Sequence, residues 1–174
     1  MDIFLRELTS KDIDVINQWR NDPSTVDMLG APFRFINKEV DELWFENYLK
    51  NRSNNVRLAI CETGTGLTLG AAYLLNIDWL SRNAEYAIWL GNKNNRGNGI
   101  GTKVTKLVLK HAFNDLNLHR IYLTLLESNF VALSLYGNMG FIKEGLLRDA
   151  IFKNGAYHNL ITMSILNSDF NKNL

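Results

Sequence analysis

Arg96-Gly97-Asn98-Gly99-Ile100-Gly101-Thr102 is the stretch whose residue types and spacing point most directly to chemistry. It lies between a strand-like run at 83–90 and a helix-like run that begins near Gly101. Three glycines at alternate positions let backbone N–H groups face one concavity with no Cβ in the way. The helix that follows adds the partial positive charge of its N-terminus, which suits a pyrophosphate. Arg96, with Lys93 and Lys103 nearby, is placed to supplement that charge. Two nucleotide patterns fit poorly. A dinucleotide fingerprint needs G-x-G-x-x-G near the first strand and an acidic residue about 20 positions later. Here the third glycine falls one position early and the loop sits mid-chain. The phosphate-loop pattern needs Gly-Lys-Ser/Thr, which is absent. The same composition also serves as a plain Gly/Asn turn that holds no ligand.

The other chemistry-bearing side chains point elsewhere. His111, His119 and His158 are far apart and show no metal-ligand spacing such as H-x-x-x-H, so no metal is expected. His111 falls on a helix and is expected to be partly exposed. The single cysteine, Cys61, lies in an apolar run and reads as a core residue rather than a nucleophile. One cysteine allows no intrachain disulfide, which fits a reducing compartment such as the cytoplasm.

The elements that must position the glycine loop follow from periodicity. Residues 3–6 read as a strand. Thr9 or Ser10 caps a helix with Ile13, Ile16 and Trp19 on one face, ending near Asn21-Asp22-Pro23. Residues 24–38 read as a loop. Val40, Leu43, Trp44 and Tyr48 recur at helical spacing. Strands are predicted at 56–61, 67–75, 83–90 and 121–126. A helix from Gly101 carries Val104, Leu107, Val108 and Ala112 on its apolar face. A second helix covers 130–139, and strands at 141–147 and 157–166 close the chain. Residues 167–174 are polar and are expected to fray. The 174 residues suit one domain, 1–174, in a mixed α/β class. A formal net charge of +1 gives no general electrostatic drive toward nucleic acid or membranes. No stretch approaches the roughly 18 apolar residues of a membrane span, and Asp2 near the start argues against a secretory signal.

The loop resembles the acetyl-CoA signature of the GNAT superfamily, Arg/Gln-x-x-Gly-x-Gly/Ala, as Arg96-x-x-Gly99-x-Gly101. Downstream, Asn129-x-x-Ala132-x-x-Leu135-Tyr136-x-x-x-Gly140-Phe141 resembles that family's second CoA-contacting segment. Trp19-Arg20-Asn21-Asp22, Glu144-Gly145-x-Leu147-Arg148 and Asn154-Gly155-x-Tyr157 look like its RimJ/RimL branch. The resemblance implies a central, mostly antiparallel seven-stranded sheet splayed between its fourth and fifth strands, with about four flanking helices. Acetyl-CoA would sit in the splay as co-substrate, with its pyrophosphate on Arg96, Gly97, Asn98, Gly99, Ile100, Gly101 and Thr102. Its pantetheine would pair with Ile88, Trp89 and Leu90, whose backbone N–H groups also serve the developing oxyanion.

Acyl transfer from a thioester to an amine needs a neutral amine, a stabilised oxyanion and a protonated leaving thiolate. The resemblance assigns Tyr136 as acid to the thiolate and Glu85, in Asn83-Ala84-Glu85-Tyr86, as base, directly or through water. Tyr136 also reads as a packed helix aromatic, and Glu85 as a solvated strand residue. Ala132 falls on the cofactor segment; Asn129 either bonds the cofactor or simply caps the helix after it. The acceptor is a primary amine: a protein or peptide N-terminus, or a small molecule such as a polyamine or amino sugar. Its pocket is expected from residues 22–50, the 76–82 loop and the last hairpin. Residues 22–52 hold six acids (Asp22, Asp27, Glu39, Asp41, Glu42, Glu46) and four bases (Arg34, Lys38, Lys50, Arg52), a mildly acidic balance. Arg34 and Lys38 would instead suit a phosphate or carboxylate on the acceptor. The alternative reading is a non-catalytic CoA-binding or sensing module. Relatives of this kind are often homodimers, but no interface pattern marks this sequence.

Overall fold

The computed structural model describes residues 1–172. Seven strands form one sheet: β1 (Ile3–Glu7), β2 (Val56–Glu62), β3 (Thr68–Asp78), β4 (Asn83–Leu90), β5 (Arg120–Leu126), β6 (Ile142–Lys153) and β7 (Ala156–Leu166). Their order is β1-β2-β3-β4-β5-β7-β6. Every neighbouring pair is antiparallel except β4 and β5, which are parallel. That parallel pair is short. Its register runs Asn83↔Arg120, Ala84↔Ile121, Glu85↔Tyr122, while β4 continues to Leu90. The sheet therefore opens into a V beyond Glu85, as the fold class anticipated.

Helices cover both faces. α1 (Ile13–Arg20), α2 (Pro23–Val26) and α3 (Lys38–Lys50) precede β2. α4 (Ile100–Lys110) links β4 to β5 and runs into a π-helical turn, His111–Asp115. α5 (Phe130–Asn138) links β5 to β6, and α6 (Asn167–Lys172) ends the described chain. The strand alternation builds two cores. One holds Ala72, Leu74, Tyr86, Val104, Val108, Tyr136 and Phe141 between the sheet and α4/α5. The other holds Ile13, Ile16, Phe45, Tyr48, Ala71 and Tyr73 between the sheet and α1/α3. The buried Val, Leu, Ile and Phe side chains contribute about 1.5–3 kcal/mol each.

Five local expectations are corrected. The loop predicted over 24–38 begins with α2, because Pro23 sits at its first turn and the Asp22 carboxylate accepts from Ser24 N at 2.9 Å. On α3, Val40 and Leu43 face solvent, and Phe45 and Tyr48 are the buried anchors. On α4, Leu107 is likewise exposed, whereas Val104, Val108 and Ala112 are buried. The end predicted to fray forms α6 over 167–172, pinned by Phe170, whose ring lies 5.4 Å from that of Phe113. Residues 173 and 174 of that expectation lie outside the described residues. The last hairpin is longer than the pattern suggested, since β6 passes through a register shift between Leu147 and Ile151 and continues to Lys153.

Candidate active site

β4 organises the site. Its alternation sends Tyr86, Ile88 and Leu90 into the α4/α5 layer, and Ala87 and Trp89 into the α1/α3 layer. Glu85 shares the face of Ala87 and Trp89. Pairing with β5 ends at Glu85, so residues 86–90 line the mouth of the V.

The glycine turn meets β4 at that mouth. Gly97 and Gly99 have φ of +78° and +73°, the left-handed region that glycine enters without strain. A Cβ at either would meet nothing within 4 Å, so open volume lies in front of both. Gly99 is also the N-cap of α4, which places that helix's first N–H groups at the opening. Asn98 is exposed between the two glycines; Ile100, the first residue of α4, is buried, and Thr102 lies in the first turn. Gly101 also serves the packing. A Cβ there would come 2.9 Å from Leu135 Cδ1, so this glycine permits close packing of α4 on α5.

Arg96 and Lys103, beside the turn, each have backbone partners. Arg96 donates to the backbone carbonyls of Thr25 (3.4 Å) and Leu90 (3.5 Å), tying the turn to α2 and to the end of β4. Lys103 reaches the other way, donating to Met1 O at 3.0 Å and lying 3.5 Å from Asp2. Sequence proximity placed it near the anion; the helical phase turns it toward β1.

Tyr136 is buried on α5 between two aromatic rings, Tyr86 at 6.3 Å edge-on and Phe141 at 5.4 Å. Burial raises its pKa above the usual phenol value, so it holds its proton at neutral pH. Tyr86 is itself locked by a 3.0 Å contact with the Thr105 hydroxyl, which donates to Gly101 O at 2.7 Å. Tyr136 and Glu85 thus lie on opposite faces of β4. Glu85 is half-buried and accepts from Asn76 Nδ2 at 3.3 Å. Asn129 does cap α5, accepting from Ala132 N at 3.1 Å, and its amide also donates to Met28 O at 3.0 Å. His158 lies 3.0 Å from Lys153 O, His111 pairs with Asp115 on the surface, and Cys61 is fully buried. Among the described residues no group of three or more His, Cys, Asp or Glu could hold a metal ion.

On the α1/α3 side a cavity of about 260 Å³ opens beside Trp89. Arg20, Arg34, Trp44, Arg57 and Tyr73 are among its walls. The predicted segment 22–50 does contribute, but neither the 76–82 loop nor the last hairpin lines it. The hairpin acts at one remove: buried Lys153 donates to Val26 O (2.6 Å) and Leu29 O (2.8 Å), holding the wall-forming loop. Arg57 and Tyr73 were missed by the sequence reading. A lone arginine inside the apolar run Val56-Arg57-Leu58-Ala59-Ile60-Cys61 was the available signal. The acids of 22–52 are not gathered at this cavity, whose lining holds none of them. Asp41 is fully buried and ion-paired to Arg20, Asp22 caps α2, Asp27 accepts from Asn154, and Glu42 pairs with Lys38.

Comparison with known proteins agrees with this architecture. Residues 2–142 match the acetyltransferase (GNAT) domain. A spermidine N(1)-acetyltransferase of Vibrio cholerae serotype O1 is 30% identical over 146 residues, covering 77% of this chain and 84% of that protein. The Escherichia coli K12 spermidine N(1)-acetyltransferase is 29% identical over 168 residues, covering 95% and 87%. The crystal structure of the Vibrio cholerae spermidine N-acetyltransferase in complex with CoA and spermine superposes with a TM-score of 0.90 at 26% identity, covering 97% of each chain. The chain belongs to the GNAT acetyltransferase family and is an acetyl-CoA-dependent N-acetyltransferase.

Proposed function

We propose that this chain moves the acetyl group of acetyl-CoA directly to a primary amine within a ternary complex, with no acyl-enzyme stage. The observation that carries this reading is the V at the end of the β4–β5 pairing, closed at one side by the left-handed glycine turn and α4. A pyrophosphate fits the open space in front of Gly97 and Gly99, with the backbone of residues 96–102 as donors. The N–H and C=O groups of Ile88, Trp89 and Leu90 would pair with the pantetheine as a missing strand does, and one N–H would face the developing oxyanion. Ala132 and Asn129, at the start of α5, are the proposed contacts from the second segment. For Asn129 to bond the cofactor through its amide it must share or release Met28 O.

Glu85 is the proposed base: it removes the amine proton, directly or through water, so that the lone pair can attack the thioester carbonyl. Tyr136 is the proposed acid: its retained O–H donates to the thiolate as the C–S bond breaks. The thioester carbon gains a bond to nitrogen and loses one to sulfur, so no redox partner is needed. The acceptor is a primary amine, of the classes named from the sequence; the similar spermidine acetyltransferases make polyamines the first to try. Trp19-Arg20-Asn21-Asp22 and Glu144-Gly145-x-Leu147-Arg148 support placement in the RimJ/RimL branch. A cytoplasmic setting, a homodimer and a single domain over 1–174 fit the same reading; no helix among the described residues is long and apolar enough to cross a membrane.

Calorimetry with acetyl-CoA, with NAD and ATP as controls, followed by turnover of spermidine, an N-terminal peptide and glucosamine, tests this function. One-to-one binding of acetyl-CoA alone, with release of CoA thiol on adding an amine, is expected. Binding without turnover on any amine would leave a CoA-sensing module, and no binding would remove the cofactor assignment.

A further inference from the structure

The cavity beside Trp89 is built for negative charge. Three guanidinium groups line it, those of Arg20, Arg34 and Arg57. Buried Asp41 neutralises Arg20 alone. Neither Arg34 nor Arg57 has a carboxylate partner among the described residues. The pocket thus carries two uncompensated positive charges.

Arg57 is the sharper observation. Its guanidinium lies over three rings, Trp44 at 4.7 Å, Tyr73 at 5.0 Å and Tyr48 at 5.6 Å. Stacking holds the planar fork in one place and leaves its edge for in-plane hydrogen bonds. Yet its Nε is buried with no acceptor. A buried donor without an acceptor is unfavourable, and native folds leave few of them. A carboxylate or phosphate in the cavity would accept from the outer N–H groups of this fork, while Nε stays enclosed beneath them.

The sheet register ties this cation to the proposed reaction. Arg57 pairs with Tyr73, and Tyr73 with Ala87, so the three form one rung on the α1/α3 face. Glu85 lies two residues from Ala87 on that same face of β4. Strand spacing and rise put Arg57 and Glu85 on the order of 10 Å apart along the sheet. A small molecule could bridge them, with its amine at Glu85 and its anionic group at Arg57.

We infer that the acceptor is a small primary amine that also carries a carboxylate or phosphate, bound by Arg57 and Arg34 in this cavity. This rests on the acetyl-transfer reading above and narrows its substrate. A polyamine would bring two or more like charges against the same walls, among which no acidic side chain stands to receive them. Arg57 lies beneath the anion within the aromatic rungs. Arg34, on the exposed 26–36 loop, closes over it.

Matched acceptors test this. With acetyl-CoA saturating, putrescine is compared with γ-aminobutyrate, and glucosamine with glucosamine 6-phosphate, alongside spermidine. Binding of each is read in parallel by fluorescence of the wall tryptophans Trp44 and Trp89. The anionic member of a pair is expected to have a kcat/KM at least about 10-fold above its partner. Which pair shows the effect separates carboxylate from phosphate. Arg57→Gln should raise the KM of that acceptor about 10-fold while the acetyl-CoA Kd stays within about twofold. Arg34→Gln, at an exposed position that cannot unfold the chain, should shift it in the same direction. Faster turnover of putrescine and spermidine, or an unchanged KM in both variants, overturns the inference and leaves the acetyltransferase standing. If no amine turns over, the acetyl-transfer reading fails instead. Saturable quenching by an anionic amine, lost in Arg57→Gln, then still upholds the pocket, and absence of quenching sinks it.

Discussion

The two faces of β4 are built from different materials. On the α4/α5 face the proposed cofactor site is mostly backbone: a left-handed glycine turn, a helix N-terminus and an unpaired strand edge. On the α1/α3 face the proposed acceptor pocket is side chain: guanidinium groups and indole rings gathered from α1, the 26–36 loop, α3, β2, β3 and β4. A backbone site recognises what every acetyl-CoA has in common. A side-chain pocket is where one acceptor is distinguished from another. The relatives that share the fold can therefore share the first face and differ on the second.

Mutations on either side should separate cleanly. Tyr136→Phe should give the largest loss. Removing the proposed acid is expected to lower kcat by about 100-fold while leaving the acetyl-CoA Kd unchanged, since general acids contribute roughly 10²–10⁴. Single-turnover kinetics would read it, and wild-type kcat would take Tyr136 out of the chemistry and leave it as a core ring.

Acid should strike the acceptor face first. Asp12 sits at the start of α1, with Arg6 donating to both of its carboxylate oxygens at 2.8 Å. Burial opposes its charge, but bonds from Arg6, Thr9 and Thr68 outweigh that and hold its pKa at about 2. A depressed carboxylate stabilises the fold above its unfolded value, near 3.9, and the contribution fades as pH falls toward the folded one. About 2 kcal/mol should thus be lost between roughly pH 4 and pH 2, and Asp12→Asn should remove a similar amount at neutral pH. Urea melts across that window check it; a melt in Asp12→Asn identical to wild type would show that this pair does not anchor α1.

Gly99→Val should have a smaller effect, confined to the cofactor face. A branched residue at φ +73° is strained by about 1–2 kcal/mol, and its side chain projects into the open volume. The acetyl-CoA Kd is expected to rise about 10-fold, with the acceptor KM at saturating acetyl-CoA unaltered. A change in acceptor KM instead would blur the division between the two faces.

That division also explains what could be read in advance. Strand and helix positions followed from local periodicity, because a pleat of two and a helix of 3.6 residues are written into neighbouring side chains. β4 over 83–90 is an example. The glycine turn was legible for the same reason: left-handed backbone and a helix start are local properties. The packing of Lys103, Gly101 and Val40 was not. Helical phase and the partner across a layer decided it, as Leu135 against Gly101 illustrates in its simplest form, a side chain 2.9 Å from a missing Cβ.

By itself the sequence determined the order of elements, the turn at 96–102, the buried state of Cys61 and the family. Only the tertiary structure decided that β4 and β5 part after Glu85, that Tyr136 lies in the layer on one face of β4 while Glu85 points to the other, and that Asp41 spends its charge on Arg20. It alone brought Arg57 from β2 beneath Trp44 from α3 and beside Tyr73 from β3. Local pattern encodes the conformation of neighbours along the chain. A pocket wall is set by sheet register and layer packing, which join residues far apart in sequence.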